Sequence, residues 1–228
     1  MPVVTFLNVI GVPWPYINED QLMQFASMVR EFGQAVEQTH LDATSAIANI
    51  AQAYQGAASN AMQSGWAHLS AQHVDEIVAG CHVLADALEV GAAWIVAQKI
   101  EAIAELAVMA ATFVADQAAA VATVGLAEAA VPVIIAAGKK LLETLKQMII
   151  MYLVGQIVEA AAKPLFQKIE QALSGLDWSN APGGGGQGEG FSMDTVMLAK
   201  HIGTLESHAE TMRGHAATLR SGLAGLSF

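Results

Sequence analysis

Three histidines near the C-terminus have the spacing that first suggests chemistry. His201, His208 and His215 recur every seventh residue, so on a helix they form a single row. At a rise of 1.5 Å per residue, neighbours in the row are about 10 Å apart, too far for two ring nitrogens to share a metal ion. Two interpretations stay open: polar positions beside an apolar seam, or a pH-sensitive docking edge. No metal site is predicted.

Motifs for catalysis are absent from the rest of the sequence. It contains no Gly-x-Ser-x-Gly, His-Glu-x-x-His or Cys-x-x-Cys pattern, and its tetraglycine is not followed by the Lys-Ser/Thr of a phosphate loop. Cys81, the only cysteine, falls within an apolar seam and is predicted to be a small buried group rather than a reactive thiol. The sequence therefore predicts a protein that is not an enzyme, with no catalytic residues and no cofactor.

The composition is both acidic and apolar. The 228 residues include 10 Lys and Arg against 21 Asp and Glu, for a net charge of −11, and 54% are hydrophobic. Such a chain lacks the basic surface of a nucleic-acid binder, so no nucleic-acid partner is expected. Arg30 is the only basic residue before Lys99. The acidic first half is either simply solvated or complementary to a basic docking groove.

A long first helix is predicted after an extended N-terminal segment over residues 1–17. Within that segment, Pro13-Trp14-Pro15 keeps the backbone out of the helical region. Asn18 has the character of an N-cap, with Gln21 three residues later as in a capping box. From residue 22 to residue 53, apolar residues alternate in steps of three and four, which is the heptad pattern of a helix that packs along another helix.

A second long helix follows the break at Tyr54-Gln55-Gly56, where Gly56 is expected to take a left-handed cap conformation. It is predicted to begin between Ala58 and Ala61 and to continue to residue 98. A short break between two long helices makes them antiparallel neighbours. The predicted fold is therefore an all-α, elongated helical bundle built on an antiparallel hairpin over residues 18–98.

Residues 99–175 are predicted to form apolar helices that complete a bundle over 18–175. Pro132 suits the first turn of a new helix, and Pro164 is expected to kink it. The hairpin 103–158 is apolar on every side, so either other helices or lipid must cover it. Charged residues interrupt this region, and no uncharged run reaches the ~18–20 residues of a membrane span.

The C-terminal part is predicted to be an amphipathic helix over 192–228, joined by a flexible glycine-rich linker over 176–191. Ser192 is expected to cap this helix. Its apolar seam is predicted to dock on the bundle, on a second copy, or on a partner. The seam positions are Leu198, Ile202, Leu205, Met212 and Leu219.

The helix–Tyr54-Gln55-Gly56–helix arrangement resembles the Trp-x-Gly superfamily of type VII secretion substrates, in which a Trp-x-Gly turn joins two long antiparallel helices. Tyr54 takes the Trp position, and the small residues Ala57, Ala58 and Ala61 follow it. With the opening Pro13-Trp14-Pro15 and the long apolar extension, the chain also resembles the N-terminal targeting domain of actinobacterial polymorphic toxins. The resemblance covers roughly residues 10–175.

This resemblance implies a non-enzymatic targeting module recognised through its helical surface. The implied partners are a small helical secretion protein or the secretion ATPase, with a homo-oligomer or membrane contact as alternatives. It also implies synthesis in the cytoplasm and export to the cell surface or medium without a cleavable signal. The family's export signal is Tyr-x-x-x-Asp/Glu after the second helix; here Tyr16 and Asp20 have that spacing, at the other end of the hairpin. Two further interpretations stay open, a membrane-active protein and a structural assembly bundle.

Overall fold

The computed structural model describes residues 2–69, 74–123, 131–174 and 192–226. In these residues the chain is almost entirely helical, which confirms the predicted all-α class. The helices are α1 (Pro2–Ile10), α2 (Glu19–Ala53), α3 (Ala57–Leu69), α4 (Asp75–Thr123), α5 (Val131–Tyr152), α6 (Lys163–Ser174) and α7 (Thr195–Ala224), with a π-helical segment over Leu153–Ala162. Two short strands, β1 (Tyr54–Gln55) and β2 (Ser192–Met193), pair antiparallel.

The prediction of an extended N-terminal segment is wrong for residues 2–10, which form α1. Phe6 and Ile10 are one turn apart on this helix and are each only 1% exposed. They pack with Leu106 and Ala110 of α4 and Leu142 of α5 in one apolar cluster. Burial of one face therefore stabilises a nine-residue helix that would be marginal in isolation. Residues 12–18 are non-helical, as the proline motif predicts.

The start of α2 follows the predicted cap. The Oδ1 of Asn18 accepts a hydrogen bond from the backbone N–H of Gln21 at 3.2 Å, and the helix then runs unbroken to Ala53. Of the ten positions that follow the heptad spacing, Phe25, Phe32 and Ala53 are half-buried, and the other seven are buried: Leu22, Val29, Val36, Thr39, Ala43, Ala46 and Ile50. The heptad pattern thus identified the packed face correctly.

In the second arm of the hairpin, the described residues are helical on both sides of residues 70–73, which lie outside the described residues, so whether one helix runs through them stays a prediction. Residues 57–69 form α3, and α4 begins at Asp75. Asp75 and Glu76 occupy the first turn of α4, where carboxylates interact favourably with the positive end of the helix dipole. α4 then continues through residue 98 to Thr123, so the predicted boundary between hairpin and apolar helices falls inside one helix.

The contacts divide the described residues into two compact units, one drawn from 2–23 and 89–157, the other from 24–88 and 158–226. In the first, the α1 cluster packs on α4 and α5, and the rings of Trp94 on α4 and Tyr152 on α5 stack with centroids 4.3 Å apart. In the second, α2 and α4 run antiparallel. Gly33 approaches Cys81 closely, and the guanidinium of Arg30 contacts the Asp86 carboxylate at 2.7 Å.

The last part of the apolar region changes helix type before Pro164. Pro132 lies at the described beginning of α5, and residues 124–130 before it lie outside the described residues, so the predicted helix start stays a prediction. The π-helical segment Leu153–Ala162 ends immediately before Lys163 and Pro164, where α6 begins. Proline has no N–H to donate and its ring crowds the preceding turn, so a local change of winding is expected there. The predicted linker 176–191 lies outside the described residues.

Candidate recognition surfaces

The tip of the hairpin is held by backbone contacts with the start of the C-terminal segment. Tyr54 pairs with Met193 and Gln55 with Ser192, and the N–H of Asp194 donates to the carbonyl of Ala53 at 2.9 Å. Tyr54 is half-buried. The predicted turn at Tyr54 and Gly56 is therefore a turn, but it is paired with a strand that sequence analysis did not predict.

Gly56 has a φ of 154°, a positive value that residues with a side chain rarely adopt. This is not the left-handed cap value of about 57° that was expected. Its carbonyl accepts a hydrogen bond from the N–H of Asn60 at 3.2 Å, so the same residue that ends the turn also starts α3. Glycine is favoured at this position because, without a Cβ atom, it adopts a positive φ at low cost.

A tryptophan that sequence analysis missed contributes to the hairpin close to its tip. The indole Nε1 of Trp66, on α3, donates to Oγ1 of Thr44 on α2 at 2.9 Å. The ring stacks on His40 with centroids 5.3 Å apart and an interplanar angle of 18°. The sequence signal that could have identified it is a single tryptophan ten residues after Gly56, on the helix that follows the turn. Trp66, rather than Tyr54, is the aromatic residue that joins the two arms here.

His40 is buried beneath Trp66, and burial lowers the pKa of its imidazole below 6.5 because a charged ring would be desolvated. The carboxylate of Asp75 acts in the opposite direction and raises the same pKa by a smaller amount. The neutral imidazole is therefore the form that this packing favours. In that form it offers Trp66 a flat, uncharged surface.

α7 begins two residues later than predicted. Asp194 is its N-cap, with Oδ1 accepting from the N–H groups of Val196 and Met197 at 3.0 Å each. Ser192 belongs to β2 instead. A carboxylate can accept both bonds at once and also interacts favourably with the helix dipole. α7 then packs antiparallel to α2, with Gly222 in close contact with Sδ of Met28.

The face of α7 that packs on α2 differs from the predicted docking seam at one of the five seam positions. Leu198, Leu205, Met212 and Leu219 are half-buried, as the seam requires. Ile202, however, is 45% exposed, whereas its neighbour His201 is buried. The second position of the seam is therefore the histidine position, and the assignment of Ile202 to the seam is corrected.

The three histidines lie within this docked face rather than at its edge. The hydroxyl of Thr39 donates to the carbonyl of Ala35 at 2.9 Å, so His215 must donate its Nε2–H to Thr39 Oγ1, at 3.1 Å. Among the residues that the structure describes, Nε2 of His201 and Nδ1 of His208 are buried without a hydrogen-bond partner. Such orphaned polar atoms make this interface weaker than an all-apolar seam of the same length.

The N-terminal motif forms one wall of a shallow groove of about 500 Å³. Pro13 is exposed, Pro15 is half-buried, and Trp14 packs against the apolar cluster under α1. The groove lies between α1, this motif and Ile103 of α4. Its lining is mostly aliphatic and aromatic, so it offers contact area but no reactive group.

Tyr16 and Asp20, the pair with export-signal spacing, both lie on the surface. Tyr16 is 83% exposed, and Asp20 is exposed in the first turn of α2. The backbone around them is fixed by Lys99, whose ammonium contacts the Glu19 carboxylate and the Ile17 carbonyl at 2.7 Å each. The two side chains are thus accessible on an anchored segment, which suits recognition by another protein.

No group of three or more His, Cys, Asp or Glu side chains that could hold a metal ion occurs in the described ranges. Cys81 is buried, and burial raises the pKa of its thiol to about 11. A thiol in that environment stays protonated and unreactive at neutral pH. The features that distinguish this protein are helical surfaces.

Within the described residues, two stretches are long and apolar enough to cross a membrane by length and composition, Asp75–Gln117 and Val131–Glu170. Only 39% and 22% of their most apolar windows are buried. A soluble protein's core helix would be mostly buried, so α4 and α5 carry more exposed apolar surface than that role requires. The sequence predicted their apolar character but not which residues face outward.

Comparison with known proteins gives one family match. The family model described as "WXG100 like domain" matches residues 3–139, which span α1 to the first part of α5. No curated protein matches the chain. No solved structure matches it either.

Proposed function

The chain belongs to the WXG100-like family, and on that premise we propose that it is a non-enzymatic targeting module of a type VII secretion effector. The observation that carries the proposal is the family match across α1, the α2–α3–α4 hairpin and the start of α5. The module acts by presenting a folded helical surface to a secretion partner or to the secretion ATPase. It serves either as the N-terminal part of a toxin or as the partner of one.

The proposed route is synthesis in the cytoplasm and export by the type VII apparatus to the cell surface or the medium. The exposed pair Tyr16 and Asp20 is the proposed contact with the apparatus. An exposed aromatic ring and an exposed carboxylate four residues apart on an anchored segment offer a partner one apolar and one charged contact.

The test is secretion of the full chain from a bacterium with a type VII system, compared with the same strain lacking the secretion ATPase. Export that depends on the ATPase supports the proposal, whereas equal export from both strains contradicts it. Tyr16→Ala and Asp20→Ala are expected to reduce export without changing the unfolding midpoint. The matched control is Glu31→Ala, which removes an exposed carboxylate further along α2.

The hairpin turn provides a second comparison in the same assay. Gly56→Val places a β-branched side chain at a φ of 154°, which costs about 1–3 kcal/mol of strain. It is expected to lower both stability and export. Gly65→Val is the control, because Gly65 is in α3 with open space around it. Export that survives Gly56→Val with an intact fold would separate the turn from recognition.

The two apolar stretches of α4 and α5 favour a second candidate function, insertion of the 103–158 hairpin into a membrane. Release of a trapped dye from anionic vesicles by the full chain would support it. The exposed face of α5 argues against it because Lys139, Lys140, Glu143 and Lys146 are all exposed there. Each would have to leave water on insertion.

A further inference from the structure

Between residues 93 and 115, the outer face of α4 is aliphatic, and the described residues leave it exposed. Eleven residues of this face are all exposed, and none is charged or polar. At 100° per residue they fall within an arc of roughly 140° around the helix. We call this set the α4 aliphatic face: Ala93, Val96, Ala97, Ile100, Ile103, Ala104, Ala107, Val108, Ala111, Val114 and Ala115.

The exposure is not a sign of poor packing, since the other side of the same helix is buried or half-buried. Ile95, Leu106 and Ala110 are 0% exposed, and Leu106 and Ala110 pack in the apolar cluster with α1 and α5. By contrast, Ile100 is 62% exposed and Val108 is 68% exposed. A well-seated helix that leaves a continuous aliphatic surface in water is the usual sign of an interaction site.

The heptad spacing of the residues in this face indicates that a helix would cover it. Positions 93, 100, 107 and 114 recur every seventh residue, and positions 97, 104 and 111 fall between them. Alternating steps of four and three form the seam of a coiled coil, which a straight helix of another chain fills. The alanines in this seam allow such a helix to approach closely, while Ile100 and Val114 provide the larger contacts.

The charge beside this face specifies the chemistry of the covering helix. Glu101 and Glu105 are exposed along one edge, and Asp116 follows them half-buried. The sequence has no Lys or Arg between Lys99 and Lys139, and Lys99 itself is paired with Glu19. A second copy would bring acidic edges and a net charge of −11 against their equals. A helix with basic flanking positions would be attracted.

We propose that the α4 aliphatic face is the docking site for an amphipathic partner helix whose apolar seam is flanked by Lys or Arg. Lipid fits less well, because α5, which shares the core of this unit, exposes four charged side chains. The inference rests on the proposed function, since it names the surface that receives the helical partner. It adds the partner's charge and the residues that it contacts.

The test uses two synthetic four-heptad peptides with the same leucine and alanine seam. One carries lysine at the flanking positions and the other carries glutamate. Binding of each to the full-length protein is measured by fluorescence anisotropy at low and high salt. The lysine peptide is expected to bind, more weakly as salt rises, and the glutamate peptide is expected not to bind.

Three variants locate the site. Ile100→Glu is expected to weaken binding of the lysine peptide by about tenfold or more, because it puts a charge in the seam. Val83→Glu is the matched control on the same helix, 56% exposed but outside the α4 aliphatic face, and should bind like the wild type. The double variant Glu101→Lys/Glu105→Lys should reverse the preference toward the glutamate peptide. Circular dichroism checks that each variant keeps its helix content.

Several results would overturn the proposal. These are no binding of either peptide, equal loss of binding in Ile100→Glu and Val83→Glu, or equal affinity for both peptides. A wild-type dimer that Ile100→Glu makes monomeric would assign the face to a second copy. Flotation with vesicles that only Ile100→Glu abolishes would assign it to lipid. Because peptide binding is measured without the secretion apparatus, its outcome is independent of the ATPase-dependent export that tests the proposed function.

Discussion

Replacing Gly138 with alanine tests the contact between α1 and α5 with a single methyl group. Gly138 is buried in α5 beside the N-terminal helix. A Cβ at this position would lie 2.7 Å from Cδ1 of Ile10, and 3.2 and 3.3 Å from Cε1 and Cζ of Phe6. Because Ile10 and Phe6 are each 1% exposed, neither side chain has free space into which to rotate. We expect α1 to be pushed away from α5.

Two opposing contributions decide how far Gly138→Ala changes the free energy of unfolding. Alanine gains about 0.5–1 kcal/mol over glycine inside a helix, because the unfolded chain loses less conformational freedom. Overpacking of a filled core costs about 1–3 kcal/mol. The overpacking contribution should win, since the atom in the way is enclosed, and Gly138→Ala should lower the free energy of unfolding by about 1 kcal/mol.

The control is Gly214→Ala, the same change inside α7, where nothing lies within 4 Å of the added methyl group. It should raise the free energy of unfolding by about 0.5–1 kcal/mol. Both variants are measured by urea unfolding followed by circular dichroism. Ile10→Val removes the Cδ1 atom that clashes and alone should cost about 0.5–1.5 kcal/mol. In the double variant with Gly138→Ala, the loss should be smaller than the sum of the two single losses.

Two outcomes would refute this reasoning. If Gly138→Ala stabilises the protein as much as Gly214→Ala does, α1 does not pack on α5 at this point. If the losses from Gly138→Ala and Ile10→Val add exactly, then Ile10 is not the side chain that the methyl group meets.

Three further predictions concern separate groups. The pKa of His40 in the folded state is lowered from 6.5, so the unfolded state binds more protons, and the free energy of unfolding should fall as the pH drops through 6.5. Urea titrations at several pH values measure this dependence, and His40→Gln should flatten it. An unchanged slope in the variant would contradict the prediction. The thiol of Cys81, with a pKa of about 11, should react with a disulfide reagent at pH 8 only after unfolding, and rapid labelling of the native protein would show an accessible thiol. Asp194→Ala removes the cap of α7 and should lower the free energy of unfolding, measured in urea, by about 1 kcal/mol. Asp194→Asn keeps an oxygen that can accept these hydrogen bonds and should retain most of the stability. Equal losses in the two variants would exclude the cap as the cause.

Features that depend on local chemistry could be predicted from the sequence. The cap at Asn18, the buried face of α2 and the burial of Cys81 were all predicted correctly. Each depends on residues within a few positions of one another, or on a heptad pattern sustained over many turns. The positive sign of the φ of Gly56 also follows from its place between two helices, but its value of 154° is not that of the expected left-handed cap.

Features that depend on distant residues could not be predicted in this way. α1 is short and rich in β-branched residues, so its stability comes from burial of Phe6 and Ile10. The helical spacing of Val3, Phe6, Leu7 and Ile10 is the only local sign of this helix in the sequence. In α7, apolarity favoured Ile202 over His201 for the second seam position. The structure selects the histidine row instead, and the hydrogen bond between His215 and Thr39 is one contact that the sequence could not reveal.

The contact between α7 and α2 has a consequence for the order in which the chain folds. Thr39 and His215 are 176 residues apart in sequence, so their hydrogen bond closes a very long loop. The ribosome completes α2 long before α7 is synthesised, so the face of α2 that packs on α7 stays exposed during that time. Such long-range contacts form slowly, because loop-closure entropy is lost before the contact is gained. We therefore expect docking of α7 to be the last folding step, and a newly made chain to pass through a stage in which the α2 face is accessible to a chaperone.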